Sequence, residues 1–288
     1  MMTRSLSLLA SLLCGSAALA EPSLLRTNDI EYARVDGQPL LLDLYRVDSV
    51  SAAPLLIWVH GGRWEVGSKE QMPLTALVEH GFALASLDFR PASAARFPGQ
   101  IHDLKAAIRF LRAQADRYGY SATRIAILGA SSGAHLAALV GTTNGHGELE
   151  GSFGSHLDQS SSVQAIVSYF GASNLTTILQ QSTPYGLGIR TPALQLLLGG
   201  LPDEVTALAQ LASPVFHVDE SDPPLLLLHG DQDPQMPINQ SHELQGAYEI
   251  RGGVAHFTVV HGAGHGGDAF YDPERVKLVA EFLDQHLR

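Results

Sequence analysis

The sequence predicts an α/β protein with a doubly wound, mostly parallel sheet. Two observations lead to this prediction. Short apolar runs typical of strands recur along the chain and alternate with segments of helical periodicity. Several runs show little polar alternation, as expected for central strands that helices cover on both faces. The chain has 288 residues, 45% of them hydrophobic, so residues 21–288 can form one large domain with a substantial core.

The predicted strands and helices follow one another in a regular order. The clearest helix begins near Ile101, carries apolar residues at helical spacing, and ends at Gly119, a favourable C-terminal cap. Further helices are expected after Ser131, Ile238 and Pro273. The earliest strands can lie antiparallel at one edge of the sheet. The strand-like runs are 40–45, 55–60, 83–89, 124–128, 165–169, 225–229 and 256–260.

Two segments interrupt this alternation. Residues 142–162 are rich in Gly, Ser and His without periodicity, which indicates a surface loop. Residues 171–215 combine weak helical patterns with several prolines and delay the next strand. We interpret 171–215 as a small insertion or cap over the carboxyl edge of the sheet, where ligand specificity would be decided.

Residues 1–20 have the pattern of a cleavable secretory signal. Arg4 supplies the positive charge, 6–13 the apolar segment, and Ala18-Leu19-Ala20 a small-x-small cleavage site. The apolar segment is too short for a stable membrane anchor, so we expect a secreted or periplasmic protein. Cys14 is the single cysteine and lies in this segment. The processed chain would then have no disulfide, thiolate nucleophile or cysteine-ligated zinc.

The charge balance excludes some classes of partner. Lys and Arg number 18 against 29 Asp and Glu, giving a net charge of −11 that repels nucleic acid and anionic membranes. The H-x-x-x-H spacing of a helical metal site occurs only at His261 and His265, in a glycine-rich loop and not on a predicted helix, so neither a metal nor another cofactor is expected. The oligomeric state stays open.

The run GASSG at 129–133 is the most specific chemical motif. It follows the apolar strand 125–128 and precedes the helical pattern 134–140. In a G-x-S-x-G elbow the turn is so tight that only glycines clear the neighbouring backbone, and the serine is pushed out at the top of the sheet. This context predicts that Ser131 is a nucleophile.

A second motif, HGGRW at 60–64, ends an earlier strand. Serine acyl transfer needs N–H donors aimed at the oxyanion, and a glycine-rich loop lets the backbone approach closely. The candidate donors are the backbone N–H groups of Gly62, Arg63 and Ser132. His60 precedes the glycines on the strand end, so we expect it to organise the loop.

The orienting acid is expected in HGDQD at 229–233, directly after a strongly apolar strand. Asp233 is the preferred candidate, with Asp231 as the alternative, because a carboxylate there could accept a bond from an imidazole. Asp103 precedes the nucleophile, against the Ser, Asp, His order of such sites. We expect Asp103 to pair instead with Arg90.

The general base is expected in a loop after the last strand. GAGHGG at 262–267 provides such a loop, and its glycines would let the His265 ring reach over Ser131. His261 directly follows the strand and is interpreted as a structural histidine.

These motifs occur in the order found in the esterase/lipase branch of the α/β-hydrolase superfamily, which the chain resembles. The resemblance is strongest to acetylxylan and feruloyl esterase-like and hormone-sensitive-lipase-like groups. It covers nearly all of residues 21–288. The matching blocks are HGGRWEVGSKE, HDLKAAIRFLRAQADRYG, RIAILGASSGAHLAALV, YFGASNL, SPVFHVDESDPPLLLLHGDQDPQMPI and HGAGHGG.

The resemblance implies a Ser-His-Asp triad of Ser131, His265 and Asp233, and no cofactor. The implied reaction is hydrolysis of carboxylic esters, either short acyl esters or esters of plant polysaccharides. Arg63 replaces the third glycine common in the oxyanion loop, and its side chain can narrow or charge the entrance. Trp64 is a candidate pocket wall, although it could equally belong to the core.

Three alternatives remain open at this stage. An arylformamidase has a similar H-G-G-x-W loop, and secretion argues against it. A prolyl-oligopeptidase-like peptidase has the H-G-x-x-D block, but this chain lacks an N-terminal segment long enough for a propeller domain. A non-catalytic binding module on a hydrolase scaffold is disfavoured because all three triad residue types are retained.

Overall fold

A computed structural model describes residues 23–48 and 50–288, which form a mixed eight-stranded sheet in the order β1-β2-β4-β3-β5-β6-β7-β8. The strands are β1 (Leu24–Val35), β2 (Gln38–Val47), β3 (Ala53–Val59), β4 (Ala83–Leu87), β5 (Tyr120–Ala130), β6 (Ala165–Tyr169), β7 (Leu225–Gly230) and β8 (Ala255–Val260). β2 runs antiparallel to β1 and β4, and the remaining neighbours are parallel. The predicted fold class, including the antiparallel edge, is confirmed.

The seven predicted strand runs correspond to β2–β8, and β1 was missed. Its sequence LLRTNDIEYARV has no sustained apolar run, and its first six residues are exposed. Two register shifts between β1 and β2 also break the two-residue periodicity that identifies a strand facing the core.

Helices cover both faces of the sheet. Strand side chains alternate in direction, so Leu55 and Ile57 of β3 enter one core cluster and Leu56 and Trp58 the other. The helices are α1 (Ala76–Glu79), α2 (Gly99–Ala113), α3 (Ala115–Tyr118), α4 (Ser132–Gly141), α5 (Gly147–Glu150), α6 (Ile178–Gln181), α7 (Pro184–Leu198), α8 (Thr206–Leu211), α9 (Asn239–Arg251) and α10 (Pro273–Leu287).

The predicted helices are present with small changes in their bounds. The helix expected between Ile101 and Gly119 is divided into α2 and α3 at Gln114, and Gly119 ends α3 in the left-handed region with φ +79°. Arg90 and Asp103 form the expected ion pair, with Nη2 2.6 Å from Oδ1, and this pair ties the chain after β4 to α2.

The two segments outside the regular alternation differ from each other. Residues 142–162 contain only the short α5 and are otherwise irregular. Residues 171–215 contain α6, α7 and α8 between β6 and β7. The predicted signal segment at 1–20 lies outside the described residues. Within the described ranges, no helix combines the length and apolar character needed to cross a membrane.

Candidate active site

Ser131 occupies a strained turn between β5 and α4. Its backbone has φ +54° and ψ −117°, and its N–H donates to the Tyr169 carbonyl over 2.9 Å. A Cβ at Gly129 would lie 2.4 Å from the Gly133 carbonyl oxygen, and a Cβ at Gly133 would lie 2.2 Å from that of Val59. Both glycines are therefore required, because only a residue without Cβ fits this packing. The turn is built as the G-x-S-x-G motif predicted.

The three predicted triad residues lie in one hydrogen-bonded chain. His265 Nε2 is 2.9 Å from Ser131 Oγ, and His265 Nδ1 is 2.7 Å from Asp233 Oδ2. Asp233 follows β7 and His265 follows β8. Because β5, β7 and β8 are parallel, the loops after β7 and β8 lie at the same edge of the sheet as Ser131 after β5. Both distances are within the range for proton transfer between hydrogen-bonded groups.

Asp233 is buried and saturated with hydrogen bonds. Its Oδ1 accepts from the backbone N–H groups of Gln235 and Met236, each over 2.8 Å, and its side chain has no exposed surface. Burial alone would raise the pKa of Asp233, but hydrogen bonds from His229 and His265 outweigh burial and hold it well below its usual range. Asp233 is therefore a carboxylate at neutral pH.

His229 is a supporting residue that the sequence reasoning did not single out. Its Nε2 donates to the Met236 carbonyl over 3.0 Å and lies 3.4 Å from Asp233 Oδ2. On the other side of the ring, Nδ1 forms a hydrogen bond of 2.7 Å with Ser241 Oγ. The buried His229 ring thus holds in place the loop after β7 that carries Asp233, called the acid loop below. The signal available was its place as the first residue of HGDQD.

The His265 ring is held in a mostly apolar environment. Phe170 contacts it edge to face, with ring centroids 4.8 Å apart. Burial lowers the pKa of His265, the Asp233 carboxylate opposes this change, and the positive charge of Arg190 adds to it. The imidazole is therefore neutral near pH 7 and able to accept a proton.

The loop at 60–64 packs directly against the nucleophile. A Cβ on Gly61 would lie 3.4 Å from Ser131 Cβ. The turn that follows is left-handed, with φ +120° at Gly62 and +60° at Arg63, and it is closed by Val66 N donating to the Gly62 carbonyl over 2.9 Å. His60 organises this loop as predicted, since its Nδ1 is 2.7 Å from the Gly61 carbonyl oxygen.

The three predicted oxyanion donors are free to bind an incoming group. The N–H groups of Gly62 and Arg63 have no acceptor within residues 23–48 and 50–288. Ser132 is the first residue of α4, where an N–H has no partner inside its own helix. Their role as the oxyanion hole stays a prediction.

The assignment of Trp64 to the pocket wall is wrong in this structure. The indole has no exposed surface and belongs to the main core cluster. Its Nε1 donates to His135 Nδ1 over 3.0 Å, and His135 Nε2 in turn donates to the Ala212 carbonyl over 2.6 Å. A substrate cannot contact a side chain that is covered in this way. Trp64 is therefore a core residue, which is the alternative considered in the sequence analysis.

Asp231, the alternative acid, pairs with a different histidine. Its Oδ2 is 2.8 Å from His261 Nδ1, and its Oδ1 accepts from the Gly262 N–H over 2.8 Å. These contacts join the loop after β7 to the loop after β8 at the surface. Asp231 forms no hydrogen bond with His265, whereas Asp233 does, so the geometry favours Asp233 as the acid.

This strand order, with a strained serine after a central parallel strand and its partners after the last two strands, defines an α/β-hydrolase fold. The BD-FAE family model matches residues 42–248, well over half of the chain, and the chain belongs to this family. The resemblance to the esterase/lipase branch of the superfamily is thereby confirmed.

Named relatives agree with this assignment. Esterase LipC of Mycobacterium tuberculosis is 30% identical over 239 residues, covering 81% of this chain and 58% of LipC. Esterase LipQ of the same organism is 30% identical over 270 residues, covering 91% of this chain and 62% of LipQ. The chain therefore spans less than two thirds of either relative.

A solved structure matches the chain over nearly the full length of both. It is a truncated form of a carbohydrate esterase from gut microbiota, 31% identical with a TM-score of 0.79, and the match covers 93% of this chain and 98% of that one.

Proposed function

We propose that this chain is a serine carboxylic ester hydrolase with Ser131 as nucleophile, His265 as general base and Asp233 as orienting acid. One observation carries the proposal: the unbroken hydrogen-bonded chain from Ser131 Oγ through both His265 nitrogens to Asp233 Oδ2. Activation of a serine hydroxyl requires this geometry, with the base in turn oriented by a third group.

The proposed reaction has two steps. His265 Nε2 accepts the Ser131 proton as Oγ attacks the ester carbonyl, and the backbone N–H groups of Gly62, Arg63 and Ser132 hold the oxyanion. His265 then donates that proton to the departing alcohol, which leaves an acyl-enzyme. Water, deprotonated by the same imidazole, releases the acid and restores the serine. Asp233 stabilises the imidazolium present between the transfers.

Short acyl esters and esters of polysaccharides are the proposed substrates. The relatives named esterases and the neighbour named a carbohydrate esterase support this choice. Within the proposal, residues 171–215 form the cap that limits the pocket. Export through the segment at 1–20 would bring the enzyme to such substrates outside the cytoplasm.

The deciding experiment is labelling with a fluorophosphonate probe together with hydrolysis of p-nitrophenyl acetate. We expect labelling of the wild type, loss of labelling in Ser131→Ala, and a fall in kcat of ~10³-fold or more. Ser155→Ala, which alters an exposed serine in the loop at 142–162, is the matched control and should be labelled like the wild type. Labelling of Ser131→Ala equal to the wild type would exclude Ser131 as nucleophile.

A substrate panel separates the proposed activity from its alternatives. Purified protein should be assayed with p-nitrophenyl esters of increasing chain length, acetylated xylan and methyl ferulate. N-formylkynurenine tests the arylformamidase alternative, and a proline-containing peptide tests the peptidase alternative. Turnover of an ester faster than of the formamide and the peptide is the expected result.

A further inference from the structure

Two arginines close to the candidate active site, Arg63 and Arg190, form no ion pair in the described residues. The chain as a whole carries a net charge of −11, so acidic groups to neutralise an arginine are abundant. Six of the fourteen arginines in the described residues form an ion pair, as in the Arg90–Asp103 pair. Arg63 and Arg190 are among the arginines without an ion pair in 23–48 and 50–288. Their positions set them apart, because Arg63 lies in the loop that packs against Ser131 and Arg190 is fully buried.

Arg190 is fully buried on α7. Its Nε donates to the Gln235 carbonyl over 3.2 Å, whereas both terminal nitrogens are buried without any hydrogen-bond partner. Gln235 is next to the acid loop, since its own N–H donates to Asp233 Oδ1. Arg190 also interacts electrostatically with Asp233 and His265. A buried cation with unpaired N–H groups is unfavourable. The Asp233 carboxylate offsets part of its charge, but no acceptor binds its terminal nitrogens in the described residues.

Arg63 faces α7 across a shallow groove. The groove has a volume of about 230 Å³ and is lined by Arg63, Glu65, Ile189, Pro192, Ala193 and Leu196. The Arg63 side chain is exposed and forms no hydrogen bond in the described part of the chain, and it repels Arg190 electrostatically. Glu65 is the acidic residue of the groove, and its carboxylate already accepts from the Ser93 N–H over 2.9 Å.

Burial and the charge of Arg63 also affect the protonation of Arg190. Burial, assisted by Arg63 and opposed by Asp233, lowers the pKa of Arg190 to about 10. This value still leaves the guanidinium charged at neutral pH. The groove therefore has one positive group at its surface, Arg63, and the buried Arg190 lies on α7, the helix that contributes Ile189, Pro192, Ala193 and Leu196 to the groove.

We propose that Arg63 and Arg190 form an anion-recognition subsite, which selects esters carrying a free carboxylate next to the scissile bond. Arg63 supplies exposed N–H donors that bind the carboxylate, and Arg190 supplies a fixed positive charge from the protein interior. Charge-assisted hydrogen bonds are strong, and a buried charge is weakly screened. The inference rests on the proposed esterase activity and names its substrate class.

The carboxylate can belong to the acyl group or to the alcohol, and two pairs of substrates distinguish these sources. The acyl-side pair is p-nitrophenyl hydrogen glutarate and its neutral p-nitrophenyl methyl glutarate counterpart. The alcohol-side pair is an acetylated methyl glucuronoside with a free carboxylate and the corresponding acetylated glucoside. The readout is the ratio of kcat/KM for the charged and the neutral member of each pair, after subtraction of the uncatalysed rate.

The wild type should prefer the charged member of at least one pair by ~10-fold or more, in line with charge-assisted hydrogen bonding. Added salt should reduce this preference. Because the ratio compares two substrates on one enzyme, effects of a substitution on the shared chemistry cancel.

Three variants test the assignment to these two residues. Arg63→Gln should bring the ratio of the two kcat/KM values close to one, and Arg190→Gln should reduce this ratio several-fold. Arg117→Gln is the control, because Arg117 is an exposed arginine on α3, which leads into the opposite end of β5. If Arg190→Gln does not fold, Arg190→Lys replaces it and should keep the ratio within a few-fold of the wild type, while Arg63→Gln still tests the subsite.

The outcomes are distinct. A ratio near one for both pairs in the wild type contradicts the inference, and so does a ratio that Arg63→Gln or Arg190→Gln leaves unchanged. In both cases hydrolysis of the neutral esters would leave the proposed function intact. Absence of hydrolysis of every ester would contradict the proposed function and the inference together.

Discussion

Two Asp–His pairs join the same two loops of this protein, and they differ mainly in burial. Asp231 pairs with His261 and Asp233 with His265, at nearly equal distances of 2.8 and 2.7 Å. The side chains of His261 and Asp231 are 83% and 32% exposed, whereas those of His265 and Asp233 are 14% and 0% exposed. The same chemical groups thus occur once in water and once inside the protein.

The comparison shows how burial changes the cost of losing a hydrogen bond. The His261 hydrogen bond lowers the pKa of Asp231, but water can replace that bond at little cost. Asp233 instead accepts from three protein donors, and its fully buried side chain has no solvent to compensate for a lost one. We therefore expect substitutions in the inner pair to be severe and the matching substitutions in the outer pair to be mild.

The largest difference is expected between the two histidines. His265→Ala removes the imidazole that is hydrogen-bonded to Ser131 Oγ and should lower kcat on p-nitrophenyl acetate by ~10⁴- to 10⁶-fold. His261→Ala should leave kcat close to that of the wild type. Steady-state kinetics of both purified variants checks this. Equal losses in the two variants would mean that burial does not distinguish the pairs.

A smaller but still large difference is expected between the two acids. Asp233→Asn should keep the shape of the site but remove the negative charge that stabilises the imidazolium, lowering kcat by ~10³- to 10⁴-fold. Asp231→Asn changes the exposed pair in the same way, and its kcat should remain near the wild-type value. Should Asp231→Asn show the larger fall, Asp231 would be the orienting acid and Asp233 a structural residue.

The pH dependence of kcat/KM should identify His265 as the base. Activity requires the neutral imidazole, so kcat/KM should rise with pH as His265 loses its proton. Burial lowers the pKa of His265, which puts the midpoint below the ordinary histidine value of about 6.5. In Asp233→Asn the midpoint of the residual activity should move lower still, because the carboxylate that raises this pKa is gone. In His261→Ala a pH–rate profile should show the wild-type midpoint.

The smallest effect concerns stability. Disruption of the exposed pair by Asp231→Asn should leave Tm unchanged within experimental error, since ion pairs in water contribute little. Asp233→Asn should lower Tm measurably, because the amide oxygen can still accept from the Gln235 and Met236 N–H groups, but the NH₂ group then faces the His265 Nδ1 donor and cannot accept its hydrogen bond. Thermal unfolding followed by circular dichroism compares the two variants directly.

Much of the fold and the arrangement of the triad residues could be predicted from the sequence because both depend on local patterns. Parallel strands such as Leu225–Gly230 are continuous apolar runs, and loops after them meet at one edge of the sheet. The positions of Ser131, Asp233 and His265 follow from that edge and from chain order.

Other features depend on contacts between distant segments. Trp64 lies in a glycine-rich motif that indicates a pocket, and only its contact with His135 on α4 shows that it is a core residue. Arg190 lies in a helix with an internal proline and no clear apolar periodicity, so nothing local indicates a buried guanidinium. β1 pairs through an irregular register that its own sequence does not reveal.

The packing of Gly133 against the chain after β3 has a consequence for protein engineering. A Cβ at this position would lie 2.2 Å from the Val59 oxygen and 2.4 Å from the His60 oxygen. The segments at 59–62 and 129–133 are therefore one interlocked unit, although about seventy positions separate them in the printed sequence. Transplanting the serine turn into another scaffold would require moving both segments together.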